Sequence, residues 1–475
     1  MPDPNLARAA LCATFVALYA APASADERTF LRAAPGVPVV KEGLSVRIDH
    51  RYAVTEHRQI AQNETGRQTE AAYLLSVGDG AIATKFGYWN GDEEIRGELF
   101  ERDAAAQMYA TVTRARRDPG LLEELAPGKF RYRIFPFAPG EMKRIDVRWE
   151  SWMPARGRFV EYRAPLANPR TSVVVNLTAP GTTLITSDTH EIEVEKLPRG
   201  VTRVRTLAPR TDRPDTFSLR YDLAPAPVAQ FTHMTPAGDA FVVLDYATPD
   251  AQLDHVAFDV DNAAGVQLAS PLPAIVVGER FQVAFRCRPR GTRGTLHTRL
   301  TAELGGRPVT FAADVDLSRT EDKPWAETLW AATRERHINA HPNGSDGTKD
   351  EAVELALGHD IASPHTAFFA IPASEAGRVQ GQLADARRRK RWLTADATDA
   401  IAQGPGSSPP MTDAPMSAPP ATMAEPAMAP PSEHVRGGCA GCTVVDRGSR
   451  GTAPALLAML GAVAILIGRM RRRKA

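Results

Sequence analysis

Apolar residues in this chain recur again and again with a period of two. Leu44, Val46 and Ile48 alternate with Ser45, Arg47 and Asp49; Ile192 and Val194 alternate with glutamates; Val309, Phe311, Ala313, Val315 and Leu317 fall at every second position. Side chains of an extended chain point to opposite sides in turn, so this period suits a sheet with one buried face and does not suit a helix. Ala179-Pro180-Gly181, Leu197-Pro198-Arg199-Gly200 and Gly305-Gly306 cut such runs to strand length, and 38 prolines and 35 glycines supply further turns. The pattern predicts a mainly β fold of sandwich-like domains.

Three stretches depart from it. Glu98 to Arg117 carries Leu99, Ala104, Ala105, Met108, Tyr109 and Val112 near helical spacing and predicts one helix inside the first domain. From Asp322 the chain reads as helical, with Pro324 tolerated in a first turn and Trp325, Leu329 and Ala332 on one face. Lys349 to Gly358 predicts another helix, with Ala352, Val353, Leu355 and Ala356 inward. The expected organisation is a leader at 1–25, a β domain at 37–168, a β-sandwich region at 169–320, a helical segment at 321–394, a disordered linker at 400–436 and a tail at 437–475.

The ends indicate export. Arg8 precedes an apolar run, Ala9 to Ala20, too short for a stable span, and Pro22-Ala23-Ser24-Ala25 offers small residues for signal peptidase. Cleavage between Ala25 and Asp26 is expected. At the other end, Pro409-Pro410, Pro419-Pro420 and Pro430-Pro431 punctuate a spacer with little surface to bury. Cys439 and Cys442 follow, then a short membrane helix expected at 452–468, including Leu456, Leu460 and Ile465, and a basic end of Arg469, Arg471, Arg472 and Arg473 that should stay cytoplasmic. This order resembles the myxobacterial-type C-terminal sorting tail (MYXO-CTERM), which implies removal of the helix by a membrane protease and surface retention through a modified cysteine. A zinc half-site and a redox pair are the other readings of Cys439 and Cys442; the first lacks a matching second pair and the second lacks a preceding strand.

Cys287 is then the only cysteine of the folded body, so packing rather than an internal disulfide must hold it. With 57 basic and 56 acidic side chains, the chain lacks the basic surplus of a nucleic-acid binder.

A resemblance rests on Ile95-Arg96-Gly97-Glu98-Leu99-Phe100-Glu101-Arg102-Asp103-Ala104-Ala105-Ala106-Gln107-Met108-Tyr109, on Arg116-Arg117-Asp118-Pro119-Gly120-Leu121-Leu122-Glu123, and on Phe130, Pro136 and Pro139-Gly140-Glu141. Over roughly Val37 to Leu166 these residues resemble the VIT domain of vault proteins, inter-alpha-trypsin inhibitor heavy chains and bacterial surface proteins. They read as structural: Gly97 and Pro139-Gly140 as turn residues, and Tyr109, Leu121 and Phe130 as core. Later segments, including Thr189-His190-Glu191, Ser270-Pro271-Leu272-Pro273 and Ser363-Pro364-His365-Thr366, resemble parts that flank a von Willebrand factor type A domain in such relatives. That domain's metal loop is missing: the candidate strand Phe241-Val242-Val243-Leu244-Asp245 lacks following serine ligands, so no magnesium site is expected at Asp245.

Catalytic motifs are equally thin. His337 and His341 have helical zinc spacing, but Ile338 replaces the needed glutamate and Pro342 follows, which favours an exposed helix end. Ser363, His365 and Thr366 lack a nucleophile elbow or a placed carboxylate and read as a turn into a buried strand. Arg387-Arg388-Arg389-Lys390-Arg391 reads as a solvated helix face, with anionic lipid or lipopolysaccharide contact as the functional alternative. The expectation is a non-catalytic envelope or cell-surface protein with no cofactor, metal or nucleic acid, working through protein partners and reaching the membrane through its tail. The alternatives are a support subunit for a partner carrying a type A domain and an unrecognised hydrolase.

Overall fold

The computed structural model describes residues 29–210, 215–249, 251–277, 280–291, 294–342 and 347–402. The expected cleavage point at Ala25 and Asp26, Cys439, Cys442 and the membrane segment with its arginines lie outside the described residues. Among the described residues no helix is long and apolar enough to cross a membrane. The class is mainly β.

The first part runs β1 (Phe30–Arg32), β2 (Val39–Asp49), β3 (Tyr52–Gln62), β4 (Thr69–Ser76), β5 (Ala81–Asn90), β6 (Glu93–Glu101), α1 (Arg102–Arg114), β7 (Gly120–Ala126), β8 (Lys129–Phe137) and β9 (Met142–Trp152). The helix is shorter than the expected Glu98–Arg117. Glu98 to Glu101 are strand, and Leu99 is buried there, because backbone pairing outcompetes a spacing that also fits a helix. Tyr109, Leu121 and Phe130 are core residues as expected. Gly140 occupies a turn with φ 75°. Gly97 does not: it lies mid-strand, where an added Cβ would meet the Phe86 carbonyl oxygen at 2.9 Å and Phe368 Cβ at 3.2 Å.

A second group comprises β10 (Ala155–Arg156), β11 (Phe159–Pro165), β12 (Ser172–Thr178), β13 (Ile185–Thr186), β14 (His190–Lys196), β15 (Thr202–Pro209) and β16 (Thr216–Asp222). β12 pairs in parallel with β2, so the first sheet continues past residue 168 and ends β2-β12-β15-β14. The Ile192/Val194 alternation, expected to mark a buried face, instead belongs to this edge strand, where Val194 is 44% exposed. Charged alternation on an outermost strand blunts unwanted pairing. The curled sheet and the small sheet β10-β11-β16-β13 share one core, in which Tyr132 of β8 donates to Gln59 of β3 at 2.6 Å and Tyr162 of β11 reaches Thr55 at 2.8 Å.

The next eight strands are β17 (Val228–Met234), β18 (Ala240–Ala247), β19 (Gln252–Asp261), β20 (Ala263–Leu268), β21 (Ile275–Val277), β22 (Arg280–Pro289), β23 (Thr295–Leu304) and β24 (Arg307–Asp316). They form two four-stranded sheets, β17-β18-β22-β20 and β21-β19-β23-β24, with Val242, Leu244, Phe285, Leu296, Leu300 and Val315 between them. β18 is buried on both faces. Its even-numbered residues enter the sandwich; Phe241 and Val243 pack instead on α2 (Trp325–Ala340). That double burial explains the continuous apolar run. Cys287 is a buried free thiol whose pKa burial pushes up to about 12.

After α2 come α3 (Lys349–Gly358), β25 (Thr366–Ala370) and α4 (Gln380–Ala402). Trp325, Leu329 and Ala332 of α2 do share one apolar cluster. β25 returns to the first domain and inserts antiparallel between β6 and β7, far from both in sequence. All five of its residues are buried: Phe368 enters the main core, while Ala367 and Phe369 pack against α1.

Truncating Phe368→Ala removes a large side chain from the centre of this closure and is expected to cost about 3–5 kcal/mol. Denaturant titration of the variant should show a lower midpoint; an unchanged midpoint would contradict the placement of β25.

Candidate functional site

The junction of the two β bodies is built on one carboxylate. Asp245, on the face of β18 turned away from the sandwich core, is fully buried. The β2–β3 turn presents His50 and Arg51 to it: His50 Nε2 lies 2.7 Å from Oδ2, and Arg51 donates to Oδ1 at 2.7 Å. Arg280 of β22 donates to Oδ2 at 2.9 Å and to the Asp245 backbone carbonyl at 3.3 Å. Burial by itself raises the Asp245 pKa, but the His50 hydrogen bond and the charges of Arg51 and Arg280 bring it below the usual carboxylate value. The residue considered for a metal loop is thus sealed under cationic donors and joins two domains.

The turn is held in turn. Arg51 also donates to the Met153 carbonyl at 2.9 Å and covers the Trp152 ring at 5.0 Å, and Tyr221 donates to the His50 carbonyl at 2.5 Å. Tyr52 stacks on Trp325 at 4.7 Å, and Phe231 packs on the same indole at 4.9 Å. Trp325 donates to Asp49 at 3.1 Å, and Lys323 pairs with that carboxylate at 2.7 Å. These contacts place α2 across the junction.

At the other end of α2 lies a polar network that short-range sequence reasoning missed. Glu335, 2% exposed, accepts from Asn339 one helical turn away, and Asn339 Oδ1 lies 2.9 Å from His365 Nε2. The carboxylate judged absent beside Ser363 and His365 is therefore present, brought from α2. It does not assemble a nucleophile. The Ser363 hydroxyl hydrogen-bonds the Glu335 carboxyl and accepts from the Thr366 hydroxyl, while the His365 ring turns to Asn339. Ser363-Pro364-His365 forms the turn into buried β25, as the sequence implied. The i, i+4 spacing of Glu335 and Asn339 was the available signal. Burial raises Glu335 to about 7 and Glu124 on β7 to about 8, against the opposing charge of Arg336.

The rings of His337 and His341 lie 4.6 Å apart, tilted by 37°, at the end of α2. The basic run of α4 lies on an exposed helix face, as the sequence implied, and part of it is paired: Arg387 with Glu98 at 2.8 Å, Arg389 with Glu101 at 2.5 Å, and Lys390 with Asp360 at 2.9 Å. On the open side of the first sheet, Arg144 lies over the Trp89 ring at 3.7 Å, beside Ile60 and the 62%-exposed Met142, around a shallow cleft of about 420 Å³.

Residues 43–149 match the family model of the vault protein inter-alpha-trypsin domain, so the chain contains a VIT domain, spanning most of β2 to β9. Comparison with curated proteins finds no match. A solved structure from Legionella pneumophila, described as a nutrient binding protein, aligns with 9% identity over 39% of this chain and 67% of its own, with a TM-score of 0.27. That similarity is too low to carry an argument about fold or function.

Asp245→Ala strands two guanidinium groups and an imidazole without their anion and is expected to destabilise by about 3–5 kcal/mol, read by chemical denaturation. A second expectation concerns pH. Glu335 and Glu124 hold their protons in the fold above the ordinary value of 4.5, so the folded state binds extra protons between that value and about 8. Stability should therefore fall as pH rises through this window. Glu335→Gln should flatten the fall in melting temperature; an identical pH profile would exclude Glu335 as a source.

Proposed function

We propose that this is an exported, non-catalytic envelope protein whose folded body makes contact with other proteins and is retained by its C-terminal tail. The observation that carries the contact reading is the open half of the VIT sheet, where Trp89, Arg144, Met142 and Ile60 share one cleft. Tryptophan, methionine and arginine together are the residue types enriched at the centres of protein interfaces. The stacked guanidinium keeps the indole fixed, which lowers the entropy lost on association. Support for a non-catalytic role comes from the hydrogen bonding at Ser363 and His365, where neither side chain activates the other. The export and anchoring parts rest on the order of residues at the two ends: a leader ending at Ala25, and Cys439 and Cys442 before an apolar run and arginines.

Intact-mass measurement of the envelope-extracted protein tests the processing. The expected mature chain begins at Asp26 and either keeps its tail or ends near Cys439 and Cys442 with an adduct on one of them. Recovery of the full-length precursor from the soluble cytosol would overturn the reading. For the contact face, Trp89→Ala combined with Met142→Asp should abolish co-purification of partners retained by the wild-type protein while the variant still unfolds in one cooperative transition, at a melting temperature lowered only by the lost Arg144–Trp89 contact.

A further inference from the structure

A second cleft, of about 270 Å³, lies between the end of α2, the start of α3 and the turn into β25. Its walls are Ile338, Pro342 and Pro364, and its polar groups are Asn339, Lys349 and His365. The histidine is oriented by its neighbours. Asn339 gives its amide N–H to Glu335, which leaves Oδ1 facing the imidazole, so Nε2 carries the ring hydrogen. Nδ1 of the neutral ring is then an acceptor, and among the described residues it has no hydrogen-bond partner. Nor does the ammonium of Lys349 have an ion pair there.

The surroundings favour negative charge. Glu123 is shared by Arg102 at 3.5 Å, Arg131 at 2.9 Å and Arg133 at 3.2 Å, which leaves the group with a positive surplus. Arg102 brings that charge to the cleft by donating to the Pro364 carbonyl at 3.2 Å. Burial first, and then Lys349 and Arg102, lower the His365 pKa, which keeps its imidazole neutral and accepting at neutral pH.

We infer that this cleft binds an apolar organic carboxylate that carries an N–H or O–H donor beside the carboxyl group. Lys349 supplies the counter-charge, His365 Nδ1 accepts from the neighbouring donor, and Ile338, Pro342 and Pro364 cover the apolar body. An acylated apolar amino acid has this chemistry, whether as a free small acid or as the last residue of a peptide. The site stands on different residues from the Trp89 face and does not depend on export or anchoring.

Isothermal titration calorimetry of the full chain with N-acetyl-leucine tests it. Saturable binding is expected, weakened about tenfold or more in N-acetyl-leucinamide, which lacks the charge, and by a similar factor in Lys349→Gln. Lys349 is exposed, so that variant should fold normally. 4-Methylpentanoate, which lacks the N–H, should also bind more weakly, and this difference should vanish in His365→Phe. Binding of Ala-Ala-Leu as tight as that of the acetylated acid assigns the site to chain termini; its failure alone assigns it to free small acids. Equal binding of acid and amide, unchanged affinity in Lys349→Gln, or no heat with any of these ligands up to about 10 mM would overturn the proposal.

Discussion

The packing of this protein turns on a carboxylate out of reach of water. Asp245 sits on a strand buried from both sides, and an uncompensated charge there would be among the most unfavourable features a fold can hold. Arg51, Arg280 and His50 compensate it, and two of these come from a tight turn of the VIT sheet. The charge therefore fixes both the distance and the angle at which the two β bodies meet. The aromatic residues around Trp325 then fill the space that this geometry leaves. Apolar packing alone would tolerate sliding at such a junction; a three-donor clamp does not.

Period-two patterning was sufficient to read the class, because alternation follows from strand geometry with no tertiary information. The central strand β18 was also visible as an apolar run, and its double burial accounts for the run. Hidden from the sequence was everything that depends on partners distant along the chain. Leu99 sits at helical spacing yet pairs in a strand, since its partner Phe368 arrives far downstream. Val194 alternates like a core residue yet lies on an edge, since nothing local reveals which strand is last. Gly97 resembles a turn residue, whereas it is small because Phe86 and Phe368 close over it.

The candidate sites divide in the same way. Asp245 was weighed in the sequence only as the end of a metal-loop strand; its part in the junction was hidden because two of its three donors, His50 and Arg51, come from about two hundred positions earlier. Ser363 and His365 were recognisable as a polar pair, while Glu335 and Asn339 enter from another helix and redirect both side chains. The basic run of α4 was legible as an exposed helix face, while the partners of Arg387, Arg389 and Lys390, which lie on β6 and in the turn after α3, were not. In each case the chemistry was legible one residue at a time, and the pairing was not.

The placement of β25 has a consequence for how the molecule comes into being. β6 and β7 each expose an unsatisfied edge until a strand more than two hundred residues downstream has been synthesised. Ribosomal synthesis runs from the N-terminus, so the VIT domain cannot complete its central pairing co-translationally ahead of the rest. Its contact order is correspondingly high, and closure of this sheet should be slow. The first domain therefore closes only when nearly all of the body has appeared, whereas the β17–β24 sandwich, whose strands pair only among themselves, has every partner in hand earlier.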